Sequence, residues 1–192
     1  MSITIAILAG GRSRRMGRDK AQIQSGGLSL LERIAGEARK AGLPALIVGR
    51  EQPADWPIPH TTFIADDWPG SGPLGGLLTA LRQADRSVLL AACDMPALSA
   101  DALLWLADQA LETPSPHGMA VINRGQWEPL FSLYTVACHD LAEQQMQAGR
   151  LSLHGLIEAG RFQSIEAPGW VSAQLVNINT PEEWMRWREN EE

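Results

Sequence analysis

The sequence is short of the features that mark secreted, membrane-bound or thiolate-metal proteins. It holds two cysteines in 192 residues, Cys93 and Cys138, and neither belongs to a Cys-x-x-Cys pair. Buried reduced thiols therefore fit better than a disulfide or a zinc site. The four histidines, His60, His117, His139 and His154, are scattered without metal-ligand spacing and read as surface residues. No apolar run approaches the roughly 20 residues that a membrane helix needs. The first residues, Met1 to Ile5, run straight into an apolar segment without a basic leader or cleavage site, so a cytoplasmic location is expected. Positive charge is also scarce: 16 Lys and Arg stand against 22 Asp and Glu, a net charge of −6. That balance argues against sequence-blind nucleic-acid binding, which needs a basic surface. It leaves room for one local basic pocket.

What is present is ordinary globular material, 45% hydrophobic and 20% charged, long enough for one domain over residues 1–192. Ile3 to Ala9 is a nearly all-apolar, β-branched run closed by Gly10-Gly11, which predicts a parallel strand buried on both faces. Leu30, Leu31, Ile34, Ala35 and Ala38 recur at helical spacing until Gly42-Leu43-Pro44. Ala45 to Val48, Thr61 to Ile64 and Ser87 to Ala92 read as further strands, with a proline-bearing surface linker over 50–60. Gly72-Pro73 opens a helix to about Ala84, and Ser99 caps another to Leu111. Beyond that, strands are expected at 119–122, 129–134, 162–165 and 175–178. Helices are expected at 136–148, near 153–158, and after a Thr180-Pro181-Glu182-Glu183 capping box. No repeat or low-complexity segment interrupts the pattern. Alternating strand and helix over the first hundred residues predict a three-layer, Rossmann-like α/β domain, its mostly parallel sheet covered by helices on both faces.

Ligands of such sheets bind outside the carboxyl ends of the strands, and four segments stand at such exits. After the first strand comes Leu8-Ala9-Gly10-Gly11-Arg12-Ser13-Arg14-Arg15-Met16-Gly17-Arg18-Asp19-Lys20, which carries five of the sixteen basic residues of an acidic chain. Adjacent glycines let backbone amides approach phosphate oxygens, and Arg and Lys neutralise them. The loop is neither a P-loop nor a GxGxxG turn, so the bland reading is a solvated basic turn; its density and place favour anion binding. The run Ala92-Cys93-Asp94-Met95-Pro96 puts a carboxylate at another exit. Alone, Asp94 caps a turn as readily as it holds a hard cation; beside a polyphosphate loop, Mg²⁺ is the better reading. Asp66-Asp67 followed by Gly70-Ser71-Gly72-Pro73-Leu74-Gly75-Gly76 offers free helix-start amides and an acceptor for the guanine edge. Taken alone, it reads as a glycine hinge with solvated acids. Val176-Asn177-Ile178-Asn179-Thr180 would place both asparagines on one face of a strand, within reach of a metal or phosphate.

Together LAGGRSRRMGRDK, GPLGGL, ACDMP, EPLFSLY and NINTPEE, in this order, resemble the molybdenum cofactor guanylyltransferase family, within the nucleotide-diphospho-sugar-transferase folds. The resemblance spans almost the whole chain. It implies that Leu8, Ala9, Gly10, Gly11, Gly72 and Gly75 line a bound GTP and that Asp66 contacts the base or ribose. Lys20 would hold the phosphates with Arg15, and Asp94 would bind Mg²⁺. Arg150, Asn177 and Asn179, with Glu128 and Pro129, would lie on the acceptor side. The nucleotide half would then be about 1–110 and the acceptor half about 111–192. Gly49 stands where some members carry an asparagine, and Glu128 where some carry a histidine.

The reaction so implied is attack by the terminal phosphate of molybdopterin on the α-phosphorus of GTP, with pyrophosphate expelled. Partners would be these two small molecules, with transient contacts to molybdenum-insertion and molybdoenzyme-maturation proteins, and neither nucleic acid nor membrane. Rivals are a cytidylyltransferase on the same pterin, a sugar-1-phosphate nucleotidyltransferase, and a non-catalytic nucleotide-binding module. The first branch tends to read LAAG where this chain reads Leu8-Ala9-Gly10-Gly11, and retention of Lys20 with Asp94 speaks against the last.

Overall fold

The computed structural model describes residues 2–10, 24–25, 27–178 and 180–189. Strand β1 (Ile3–Leu8) is followed by a two-residue hairpin, β2 (Gln24–Ser25) and β3 (Leu28–Ser29), and then by α1 (Leu30–Lys40). Ser29 and Glu32 cap α1 reciprocally: the Ser29 amide donates to the Glu32 carboxylate at 2.6 Å and the Glu32 amide to the Ser29 hydroxyl at 3.1 Å. Gly42, at φ +69°, ends the helix as the sequence indicated. Next come β4 (Ala45–Val48), β5 (Thr61–Ile64), α2 (Gly72–Ala84), β6 (Ser87–Ala92) and α3 (Ala100–Glu112). The second half holds β7 (Gly118–Asn123), β8 (Gln126–Trp127), a 3₁₀ turn at Pro129–Phe131, and β9 (Leu133–Tyr134). It continues with α4 (Cys138–Gln147), α5 (Leu153–Ala159), β10 (Phe162–Glu166), α6 (Gly169–Ser172) and α7 (Pro181–Glu189).

Among the described residues the main sheet runs β10-β7-β9-β6-β1-β4-β5, with β8 paired to β7. β1 is parallel to β4 and β6, β4 to β5, and β7 to β10; β9 runs against both its neighbours, and β8 against β7. The period of two in β1 divides the core. Ile3, Ile5 and Ile7 pack under α1 and α3, whereas Ala6 and Leu8 pack under α2 and α4. Burying Ile5 and Ile7 completely contributes roughly 1.5–3 kcal/mol each. Every residue of β6 is likewise buried, which is why these two strands read as continuous apolar runs.

Three expectations need correction. Residues 129–134 form a 3₁₀ turn and only two strand residues, because Pro129 has no amide for a ladder and the Phe131 amide turns back to the Glu128 carbonyl at 2.9 Å. Residues 175–178 form no strand; their anchor is the Ile178 amide, which donates to the Asp94 carbonyl at 2.9 Å. His117 and His139 are not plain surface residues either: both are partly buried, and the His117 ring accepts the Arg161 amide. The capping box before α7 forms as read, with Thr180 and Glu183 bonded reciprocally at 3.1 and 3.2 Å. No described helix is long and apolar enough to cross a membrane.

Candidate active site

The parallel strands β1, β4, β5 and β6 end at one edge of the sheet, and there they surround a cavity of about 860 Å³. Its wall takes Leu8 and Gly10 from the exit of β1, Val48 to Glu51 from β4, Ala65 and Asp66 from β5, and Ala92 from β6. The start of α2 closes the far side with Gly70, Gly72, Pro73 and Gly76, and Leu130 enters from the 3₁₀ turn. Such a volume lies within the range of small-molecule and cofactor sites, roughly 300–1,000 Å³.

The strand exits are laced together by backbone. The Ala9 amide donates to the Val48 carbonyl at 3.0 Å, and the Gly49 amide to the Ile64 carbonyl at 2.8 Å. Arg50 Nε donates to the Ala9 carbonyl at 2.9 Å, tying the β4 exit back to β1. Gly49 sits at φ +87°, and a Cβ there would lie 2.7 Å from Gly10 Cα and 3.9 Å from Asp66 Cβ. Gly10, Gly49 and Asp66 are thus one contiguous patch of wall.

Asp66 is held firmly. Its Oδ1 accepts the Trp68 amide at 3.0 Å and lies 3.1 Å from the Thr79 hydroxyl. Gly72 opens α2 on the cavity wall at φ +65°, a conformation that favours glycine. Gly75, by contrast, is not on the wall: a Cβ there would meet the Trp68 carbonyl at 2.9 Å, so this glycine lets the 66–71 loop pack onto the helix. Gly76 lines the cavity in its place, and a Cβ there would meet Leu8 Cδ2 at 2.8 Å. Ala9 is buried and does not line the cavity.

Asp94 follows β6 by two residues and is half-buried, with Oδ1 shielded from solvent. Its carbonyl holds the 175–178 segment, which brings exposed Asn177 to the same strand exit. That segment begins at the exit of β7, where the Ala167 amide donates to the Ile122 carbonyl and the Ser172 hydroxyl to Asn123 Oδ1 at 2.6 Å. Asn123 in turn donates to the Glu128 carboxylate at 3.0 Å. Arg150 is exposed in the turn between α4 and α5, and α4 packs on α2. Gly11, Arg15, Lys20 and Asn179 lie outside the described residues.

The sequence reading missed Arg50 and Glu51, which it assigned to a surface linker. The signal was available: both follow a buried parallel strand, the same position that drew attention to Asp94. It also missed Thr79, the one polar side chain in the buried run Leu74 to Leu81 of α2.

Comparison with known proteins agrees with this geometry. The MobA-like NTP transferase domain matches residues 5–162. A molybdenum cofactor guanylyltransferase of Xanthomonas euvesicatoria is 34% identical over 95% of this chain and 93% of its own. A probable molybdenum cofactor guanylyltransferase of Opitutus terrae is 30% identical over the same shares. Among solved structures, the molybdopterin-guanine dinucleotide biosynthesis protein A of Archaeoglobus fulgidus superposes with a TM-score of 0.79 at 24% identity, covering 97% of both chains. The 2-C-methyl-D-erythritol 4-phosphate cytidylyltransferase of Thermus thermophilus shares the fold at a TM-score of 0.68 and 16% identity, covering 100% of this chain and 99% of its own. Matched in sequence over most of its length, and with the cavity where such a sheet must put one, the chain belongs to the MobA-like NTP transferase family.

Proposed function

We propose that this nucleotidyltransferase moves the GMP unit of GTP onto the terminal phosphate of molybdopterin, releasing pyrophosphate and forming the guanine dinucleotide of the cofactor. The observation that carries the reading is the shared cavity at the exits of β1, β4 and β5 and the start of α2, where glycines bring backbone close and Asp66 offers a fixed carboxylate. Two relatives bear the name of that activity.

The acceptor phosphate is already an anion, so no residue has to generate a nucleophile. A bond forms from its oxygen to the α-phosphorus as the bond from that phosphorus to the pyrophosphate oxygen breaks. The work left to the chain is positioning and charge neutralisation. Asp66 holds the guanine edge. Arg15, Lys20 and the other basic residues of 12–20 neutralise the triphosphate. Glu128, Arg150, Asn177 and Asn179 are assigned to binding the acceptor.

The residues present suit Mg²⁺. Asp94 supplies one carboxylate with a shielded oxygen at the strand exit, and no group of three or more His, Cys, Asp or Glu occurs among the described residues. One carboxylate completed by waters and substrate phosphates is the mode that this ion favours. Bound by Asp94, with Asn177 at the same strand exit, Mg²⁺ would neutralise charge on the phosphates. The same reading places the reaction in the cytoplasm, with molybdenum-insertion and molybdoenzyme-maturation proteins as transient partners.

The test is direct. Pure protein is incubated with each nucleoside triphosphate, Mg²⁺ and molybdopterin, and pyrophosphate is followed. Release with GTP alone supports the proposal; equal release with CTP, or a preference for a sugar phosphate as acceptor, rejects it.

A further inference from the structure

Thr79 lies on α2 among apolar residues, fully buried, seven residues into a helix whose first turn opens the cavity. The bland account of its hydroxyl is a bond to the Gly75 carbonyl, 3.0 Å away, the usual i−4 contact of a helical threonine. Two further contacts go beyond that. The hydroxyl oxygen accepts the Asp67 amide at 3.1 Å, and it lies 3.1 Å from Asp66 Oδ1. A hydroxyl has one proton, and a carboxylate competes for it better than a neutral carbonyl. One side chain therefore grips both residues of the Asp66-Asp67 pair, the first of which lines the cavity. One turn along the same face, Arg82 Nη1 donates to Asp67 Oδ2 at 3.1 Å and its guanidinium lies 5.3 Å from the Trp68 ring centre. The outer side of the loop is braced from the same helix.

We propose that Thr79 is the positioning residue that aims Asp66 at the base, and that it thereby sets a preference for a purine bearing a 2-amino group. The inference rests on the guanylyl reading above. With Oδ1 held by the Trp68 amide and the Thr79 hydroxyl, Oδ2 is the oxygen that a base amine meets. Without the hydroxyl, the carboxylate keeps one restraint of two, and the Asp67 amide loses its acceptor.

The experiment compares GTP with ITP, which differs only in lacking the 2-amino group, by titration calorimetry on the full chain without acceptor. Wild type is expected to bind GTP more tightly. Thr79→Val, close in shape but without the hydroxyl, is expected to weaken GTP about tenfold and ITP less than twofold, so that the preference collapses. Thr79→Ser keeps the hydroxyl and is expected to keep the preference. Thr79→Ala gives the same readout should valine fail to fold in the packed helix. If Thr79→Val or Thr79→Ala weakens both nucleotides by one factor, or leaves their ratio intact, Thr79 is structural and the proposal is overturned. If wild type itself does not distinguish GTP from ITP, or Asp66→Asn leaves the ratio unchanged, the base-reading role of Asp66 falls, and with it the basis in the guanylyl reading.

Discussion

Gly49 and Gly10 approach until a Cβ on the former would sit 2.7 Å from the Cα of the latter. Both line the cavity at the strand exits, and Gly49 adds a φ of +87°. A side chain at 49 meets backbone on one side and Asp66 on the other, so the asparagine that some members carry there has no room in this chain. Gly49→Ala is expected to cost about 2–4 kcal/mol, from the left-handed backbone and the forced separation of the two exits. Nucleotide binding should weaken with it. Urea unfolding and calorimetry check both; an alanine variant of parental stability and affinity refutes the close-packed arrangement.

How much of this was legible follows from what packs on what. β1 and β6 are buried on both faces, so their runs could hardly be anything else. Residues 175–178 are also largely apolar but pair with no strand among the described residues, and pairing is a tertiary fact that a local pattern does not carry. The choice between Gly75 and Gly76 shows the limit most clearly. Successive helix residues point about 100° apart, so one glycine meets Trp68 and the other Leu8, and nothing in Gly-Gly says which. Arg50 was hidden by the prolines after it, which made the whole stretch read as linker. The hydroxyl of Thr79 reaches a residue 13 positions upstream through the fold, beyond any helical periodicity.

Asp94→Asn keeps shape and loses charge at the strand exit. Turnover is expected to fall on the order of a thousandfold or more, several kcal/mol of charge stabilisation, with the melting temperature close to the parent's. Chelation of Mg²⁺ should arrest the parent in the same way. Near-parental pyrophosphate release by the variant in Mg²⁺ would remove Asp94 from the metal site.

His117 gives stability a pH dependence. Its Nδ1 accepts the Arg161 amide at 2.8 Å, which only the unprotonated ring can do, and burial followed by the charge of Arg161 lowers its pKa below 6.5. The unfolded chain therefore takes up this proton more readily than the native one. The contribution is full above about pH 6.5 and is lost as pH falls through the lower native value. His117→Asn, whose amide oxygen can accept the same bond without titrating, should flatten the dependence below pH 6.5 in chemical unfolding. An unchanged slope counts against this role.

The proposed acceptor side rests on the segment that crosses the strand exits. From the end of β10 it is pinned at β7 by Ala167 and Ser172 and at β6 by Ile178, so Asn177 arrives beside Asp94 rather than on a strand face. Arg150 follows α4, which packs with α2 on the face of the sheet opposite α1 and α3. Neither lines the cavity assigned to the nucleotide. If that separation is functional, Arg150→Ala and Asn177→Ala should raise the KM for molybdopterin several-fold while GTP affinity, measured without acceptor, stays within about twofold. Asn179→Ala is expected to behave alike. Arginine loss removes a phosphate partner, and asparagine loss removes donors and acceptors suited to a pterin edge. Variants that lose GTP affinity instead would merge the two subsites, and variants with parental KM would leave the crossing segment as nothing more than the cover of the sheet's carboxyl edge.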